Sequence, residues 1–114
     1  MCDQKEAMNI LRESVESCAK FMPITNGYLY GSFARGDFDQ ESDVDIFLTA
    51  DCPREEVRAK DWDVVKVGSK LSLDHDVTVS ICVRTKEDFK PEHNSFHANV
   101  VKDGIAYHPE RSFA

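Results

Sequence analysis

Apolar residues recur every three to four positions at the start of the chain. Between residues 3 and 22, Ala7, Met8, Leu11, Val15, Cys18, Ala19 and Met22 form one stripe, while Glu6, Arg12, Glu13, Glu16 and Lys20 fall mostly outside it. That period predicts an amphipathic helix. Asp3 stands where an N-cap belongs, Pro23 stops the segment, and Thr25-Asn26-Gly27 reads as a turn. Alternation then replaces the helical period. Tyr28-Leu29-Tyr30 predicts a short strand that runs into Gly31-Ser32. Val44 through Thr49 predicts another, with Val44, Ile46 and Leu48 on one face and Asp43, Asp45 and Phe47 on the other.

Pro53, followed by Glu55 and Glu56, suits the first turn of a helix. From there to Leu73 two periods compete. Val57, Val64, Gly68 and Leu71 suit a helix, whereas Trp62, Val64, Val65 and Val67 could alternate as a strand. A helix is expected, because the length suits a crossover between strands. Residues 76 to 84 predict a strand in which Val77, Val79, Ile81 and Val83 alternate with Asp76, Thr78, Ser80 and Cys82. After Pro91 a last helix carries Phe96, Val100 and Val101; Gly104 ends it, and Ile105-Ala106-Tyr107 adds an edge strand. The order helix, strand, strand, helix, strand, helix predicts an α/β (α+β) fold, a small mixed β-sheet flanked by helices. One domain, 1–114, is expected.

Composition narrows what such a domain can do. A chain of 114 residues holds one core but not two lobes that close on a substrate. The net charge of −7, with no basic run, argues against direct nucleic-acid binding. It also means that a triphosphate must arrive with a metal ion or meet a locally positive loop. No stretch approaches the roughly 20 apolar residues of a membrane span, and the first residues lack the basic and apolar regions of a signal peptide. A cytoplasmic protein is expected, with Cys2, Cys18, Cys52 and Cys82 as reduced thiols, since they are scattered and form no Cys-x-x-Cys pair. His93 and His97 have a spacing that can bind zinc but lack an evident third ligand. His75 adjoins Asp76 and is expected at the surface, and Arg54-Glu55-Glu56 with Arg58 reads as a solvated helix face.

The chemistry is concentrated between Gly31 and Asp45. Asp43 and Asp45, one residue apart at a strand start, project from the same face. Carboxylates held that close repel unless a cation sits between them, and hard oxygen ligands suit Mg²⁺ or Mn²⁺. Gly31 removes a Cβ where the chain turns sharply, and Ser32 offers a hydroxyl and a backbone N–H. A short helix through Ala34-Arg35 is expected, with Arg35 near enough to receive outer phosphates. A phosphate cradle and a metal-binding pair on neighbouring strands are the minimum apparatus for nucleotidyl transfer.

Gly31-Ser32, then Asp43-x-Asp45 after ten residues, with Ala34-Arg35-Gly36 and Ser42 between, resembles the signature of the minimal nucleotidyltransferases of the DNA polymerase beta-like superfamily. The resemblance is specific from about Tyr28 to Leu48 and looser over Phe96 to Ile105. Many members carry Arg where this chain has Phe33. The resemblance implies a third carboxylate on a later strand: Asp76 is the candidate for catalysis and metal binding, and the Thr78 position is the alternative alignment. It also implies ATP as the nucleotide, Mg²⁺ or Mn²⁺ as cofactor, and transfer of AMP to a hydroxyl. Minimal members resemble the antitoxin half of pairs whose partner is a helical HEPN-type protein, so nucleotidylation of such a partner is the implied reaction. The competing expectation is a non-catalytic antitoxin or regulatory subunit that neutralises its partner by binding.

Overall fold

A computed structural model describes residues 2–109 and the backbone of residues 112–113. Its elements are α1 (Gln4–Cys18), β1 (Ile24–Tyr30), α2 (Ser32–Arg35), β2 (Val44–Ala50), α3 (Arg54–Ala59), α4 (Asp61–His75), β3 (Val79–Thr85), α5 (Ser95–Asp103), β4 (Ile105–His108) and β5 (Ser112–Phe113). The strands make one sheet in the order β3-β2-β1-β4-β5. Only β2 and β3 run parallel, joined by the α3–α4 crossover, and the other pairs are antiparallel. The mixed sheet flanked by helices is the expected class.

Asp3 caps α1 as its position predicts, its Oδ1 accepting from the Glu6 amide at 2.8 Å. The helix buries Ala7, Ile10, Leu11, Val15 and Cys18. It ends at Cys18, four residues short of the expected limit, and a turn carries Met22 into the core before Pro23. Thr25-Asn26-Gly27 is not a turn: these residues lie inside β1. The reason is packing. A Cβ at Gly27 would come within 2.5 Å of Val15 Cγ2 and 3.0 Å of Leu48 Cδ2, so the bare glycine is what lets α1 rest on the strand.

Register sorts the sheet into two faces. Gly27 and Leu29 pair with Leu48 and Ile46, which lie beside Val83 and Ile81; α1 and α4 cover this side. Gly68 of α4 sits over Val79 and Ile81. The opposite face carries Tyr28 and Tyr30, Asp45 and Phe47, then Ser80, Cys82 and Arg84. Phe89 and the helix α5 pack on it, Phe96 and His97 lying against Phe47 with ring centroids 5.8 and 5.5 Å away, and α3 borders its far end at Arg84.

The segment with competing periods is helical, as expected, but interrupted at Lys60. Pro53 occupies the N-cap rather than the first turn. A larger correction concerns the strand expected from residue 76. β3 begins at Val79; Asp76 is the C-cap of α4, in the left-handed conformation with φ 52° and ψ 47°. Aspartate tolerates that conformation better than most residues, and alternation alone could not reveal it. Among the described residues all four cysteines are free thiols, and no helix is long and apolar enough to cross a membrane.

Candidate active site

The end of β1, the loop after it and the start of β2 converge at one edge of the exposed sheet face. Tyr30, the last residue of β1, pairs in register with Asp45. Gly31 follows with φ 77°, a backbone that L side chains rarely adopt, and its carbonyl accepts from the Ala34 and Arg35 amides at 3.1 Å each. That opens α2, and Gly36, with φ 86°, closes it. Gln4 fastens the turn from below: its Nε2 donates to the carbonyls of Phe33 and Ala34 at 3.0 and 3.2 Å. Phe33 points into the core and stacks on Phe38 with centroids 4.4 Å apart, so it offers phosphates nothing.

Asp43 and Asp45 flank Val44, which is wholly buried. Anchoring Val44 turns both carboxylates to the other side of the chain. Asp43 is exposed and Asp45 half-buried. Burial pushes the Asp45 carboxyl above its usual range, the Asp43 charge pushes it further, and Arg35 pulls the other way. Arg35 does not neutralise the pair by contact, since its Nε is bonded to Asp37 Oδ2 at 3.2 Å. Neither Asp43 nor Asp45 has an ion pair among the described residues. Two like charges, one partly desolvated and both uncompensated, suit a divalent cation held by carboxylate oxygens.

Asp76 lies on the cap of α4, off the strands that carry this pair. It is exposed on the α4 cap and borders an open depression shared with Ser42, Asp43 and Thr78. Among the described residues no three His, Cys, Asp or Glu side chains gather in a way that could hold a metal ion. On β3 the residue beside Asp45 is Ser80, and the Thr78 carbonyl accepts from the Val44 amide at 2.8 Å. The positions flanking the carboxylate pair on that side therefore carry hydroxyls.

Residues 9–107 fit the nucleotidyltransferase domain family. The chain belongs to that family. It is 34% identical over 102 residues to "Putative protein adenylyltransferase MJ0604" of Methanocaldococcus jannaschii, covering 88% of this chain and 89% of that protein. A second protein of that organism given the same description, MJ0141, is 39% identical over 59 residues; the match covers 51% of this chain and 57% of that one, so it spans little more than half the length of that relative. Among solved structures, a protein from Sulfolobus solfataricus described as a "putative nucleotidyltransferase" superposes with TM-score 0.66 at 23% identity, covering 97% of this chain and 88% of the other. The toxin–antitoxin MntA-HpeT and a toxin–antitoxin solved with AMP-PNP give 0.53 and 0.54 at 17% and 19% identity, each covering 92% of this chain and 72% of the other. Below 25% identity these structural likenesses establish the fold.

Two residues of this nucleotidyltransferase site escaped the sequence reading. One is Gln4, too far along the chain for any local motif. The other is Tyr30, whose hydroxyl is pushed up to about 12, chiefly by burial and then by the Asp45 charge. Strand alternation into Gly31 could have placed Tyr30 on the face of Asp45. Three of the four histidines make structural side-chain contacts. His97 is buried, accepting from the Lys90 amide at 3.1 Å among Phe47, Phe89 and Phe96. His75 reaches Glu13 and Glu6, at 2.6 and 3.2 Å, and is mostly covered rather than at the surface. His108 bonds Asn26.

Proposed function

We propose that this nucleotidyltransferase moves AMP from ATP to a hydroxyl of a partner protein, with Mg²⁺ or Mn²⁺ held by Asp43 and Asp45. The observation that carries the reading is the uncompensated carboxylate pair, half-desolvated at Asp45, set against the bend at Gly31. Gly31 and Ser32 receive the triphosphate through backbone N–H groups and the Ser32 hydroxyl, beside the Asp45 carboxylate that is seated against the bare Gly31 backbone. Arg35, exposed and bonded only to Asp37, can swing to the leaving pyrophosphate. When bound, the metal ion neutralises charge on the α-phosphoryl group and its flanking oxygens. Asp76, on the rim of the depression it shares with Asp43, adds negative charge where the acceptor hydroxyl enters. Its carboxylate accepts the proton that the hydroxyl gives up, acting as a general base.

The relatives support a protein acceptor, because the sequence relative covered over most of its length is described as a "Putative protein adenylyltransferase". The toxin–antitoxin neighbours fit a protein partner, with this chain as the antitoxin, and the partner proposed here is a helical HEPN-type protein. The acidic chain fits a protein acceptor better than a polyanion, and a cytoplasmic setting fits its free thiols. The deciding experiment incubates the protein and its partner with α-labelled ATP and Mg²⁺. Label on the partner, lost in Asp45→Asn and on chelation, is the expected result; unlabelled partner in a stable complex would refute it.

One observation favours a second reading, a subunit that neutralises its partner by binding without catalysis. Thr78 and Ser80 stand on the β3 side of the carboxylate pair, where a third acid would assist proton removal.

A further inference from the structure

A second group of charges lies at the far end of the same sheet face. Ser80 of β3 lies beside Asp45, and Arg84 follows four residues later on that face, about 13 Å away at the rise of an extended strand. Arg84 lines a groove of about 470 Å³ with Arg54, Val57, Arg58, Asn94 and His97. Three of the six arginines in the sequence thus meet in one place, in a chain whose net charge is −7.

The charges there do not cancel. Asp88 binds Arg54 in bidentate fashion, Nε to Oδ2 at 3.1 Å and Nη2 to Oδ1 at 2.9 Å. Arg84 donates only to the Val83 carbonyl, at 2.9 Å, and Arg58 has no ion pair among the described residues. Asp88 also lines the groove and feels the Arg84 charge, but one carboxylate stands against three guanidinium groups, beside buried Val83 and His97. Planar guanidinium forks match carboxylates held singly or in pairs. An adjoining hollow at the ends of β2 and β3 carries Asp51, Glu55, Glu87 and Asp88 against two cations, Arg54 and Lys86. A nucleic-acid backbone, charged at every nucleotide, would have to cross those acids; a short acidic anchor would not.

We propose that the Arg58–Arg84 groove anchors an acidic stretch of the protein acceptor, its carboxylates about four extended residues from the hydroxyl that receives the nucleotide. The acceptor half of this assignment rests on the reading given under Proposed function. The full chain is titrated into fluorescein-labelled hexaglutamate at low salt, with hexalysine and hexathymidylate as comparators. Wild type and Asp45→Asn should bind hexaglutamate equally. Arg58→Ala should bind several-fold more weakly, and Arg58→Glu with Arg84→Glu about tenfold more weakly or worse, since exposed charges of this kind act on association and are screened by salt. Equal binding by the arginine variants, or tighter binding of hexathymidylate than hexaglutamate, would overturn the groove whatever the enzyme transfers. Arginine-dependent peptide binding in a protein that transfers no nucleotide would leave the groove standing as an acidic-peptide site and overturn only the reading of the chemistry.

Discussion

Gly31 and Asp45 occupy one space: a Cβ on Gly31 would lie 2.6 Å from Asp45 Oδ2, nearer than real Cβ contacts come. The carboxylate is seated against bare backbone, and the bend that creates the seat has a φ of 77°. Gly31→Ala adds both a clash and a left-handed alanine. It should destabilise the fold by about 1–3 kcal/mol and, by displacing Asp45, lower nucleotide transfer on the order of a hundredfold. Urea unfolding and incorporation of label from ATP measure the two effects separately. Wild-type transfer by the alanine variant would show that the seat does not matter.

Asp45→Asn should separate stability from activity in the opposite sense. The folded Asp45 pKa lies above its unfolded value, so the folded state binds the proton more readily and this carboxyl destabilises the fold once pH passes upward through both values. Removing the charge should raise the melting temperature at pH 7 in the absence of metal while transfer falls on the order of a thousandfold. The same sign predicts that Mg²⁺ stabilises wild type more at pH 7 than near pH 4, where protonated Asp45 competes with the ion. Thermal unfolding with and without Mg²⁺ across that range tests it.

The elements that chain chemistry announces are those whose period is local. β2 was legible because Val44, Ile46 and Leu48 alternate with Asp45 and Phe47, and that alternation also turned Asp43 and Asp45 to one face. Gly27 misled, because its reason for lying in a strand is Val15, twelve residues earlier, pressing on it. Asp76 misled for a different reason. Its neighbours keep a two-residue period, yet Ser72 of α4 binds the amides of both Val77 and Val79, which holds the chain at the helix cap until Val79. The Gly31-Ser32 bend was readable because glycine, serine and the acids sit close in sequence. Gln4 and the Arg58–Arg84 groove were not, because only folding brings their parts together.

His75 ties the end of α4 to α1 through Glu13 and Glu6. Burial of the ring opposes its charge, but the hydrogen bonds and charges of Glu13 and Glu6 outweigh burial, so its pKa is raised. A raised folded pKa stabilises below the unfolded value, near 6.5, and that stabilisation disappears as pH rises through the folded value. His75→Gln should therefore cost about 0.5–1 kcal/mol near pH 6, after allowance for solvent screening at the helix rim. It should cost less at pH 8.5. Paired urea titrations at the two pH values check this, and an equal loss at both would assign the effect to packing instead of charge.

Thr78→Asp asks whether a carboxylate at the Thr78 position, the alternative to Asp76, speeds the enzyme. Thr78 precedes β3, its carbonyl holding the Val44 amide, so a carboxylate there would stand on the sheet face of Asp43 rather than on the helix cap where Asp76 lies. A third negative charge beside two uncompensated ones should lower stability without metal and deepen the response to Mg²⁺. If proton removal from the acceptor hydroxyl is the slow step, transfer should rise by about tenfold or more, within the range that a positioned general base contributes. Asp76→Asn, which keeps a side chain tolerant of left-handed backbone, should retain the fold and lower transfer by less than about tenfold, because Asp76 stands exposed at the rim of the depression. Melting curves with and without Mg²⁺ and labelled-ATP assays on the two variants decide the matter. A Thr78→Asp protein that binds Mg²⁺ more tightly yet transfers nothing would favour the non-catalytic subunit, since the site would then hold every carboxylate the chemistry needs and still lack the activity.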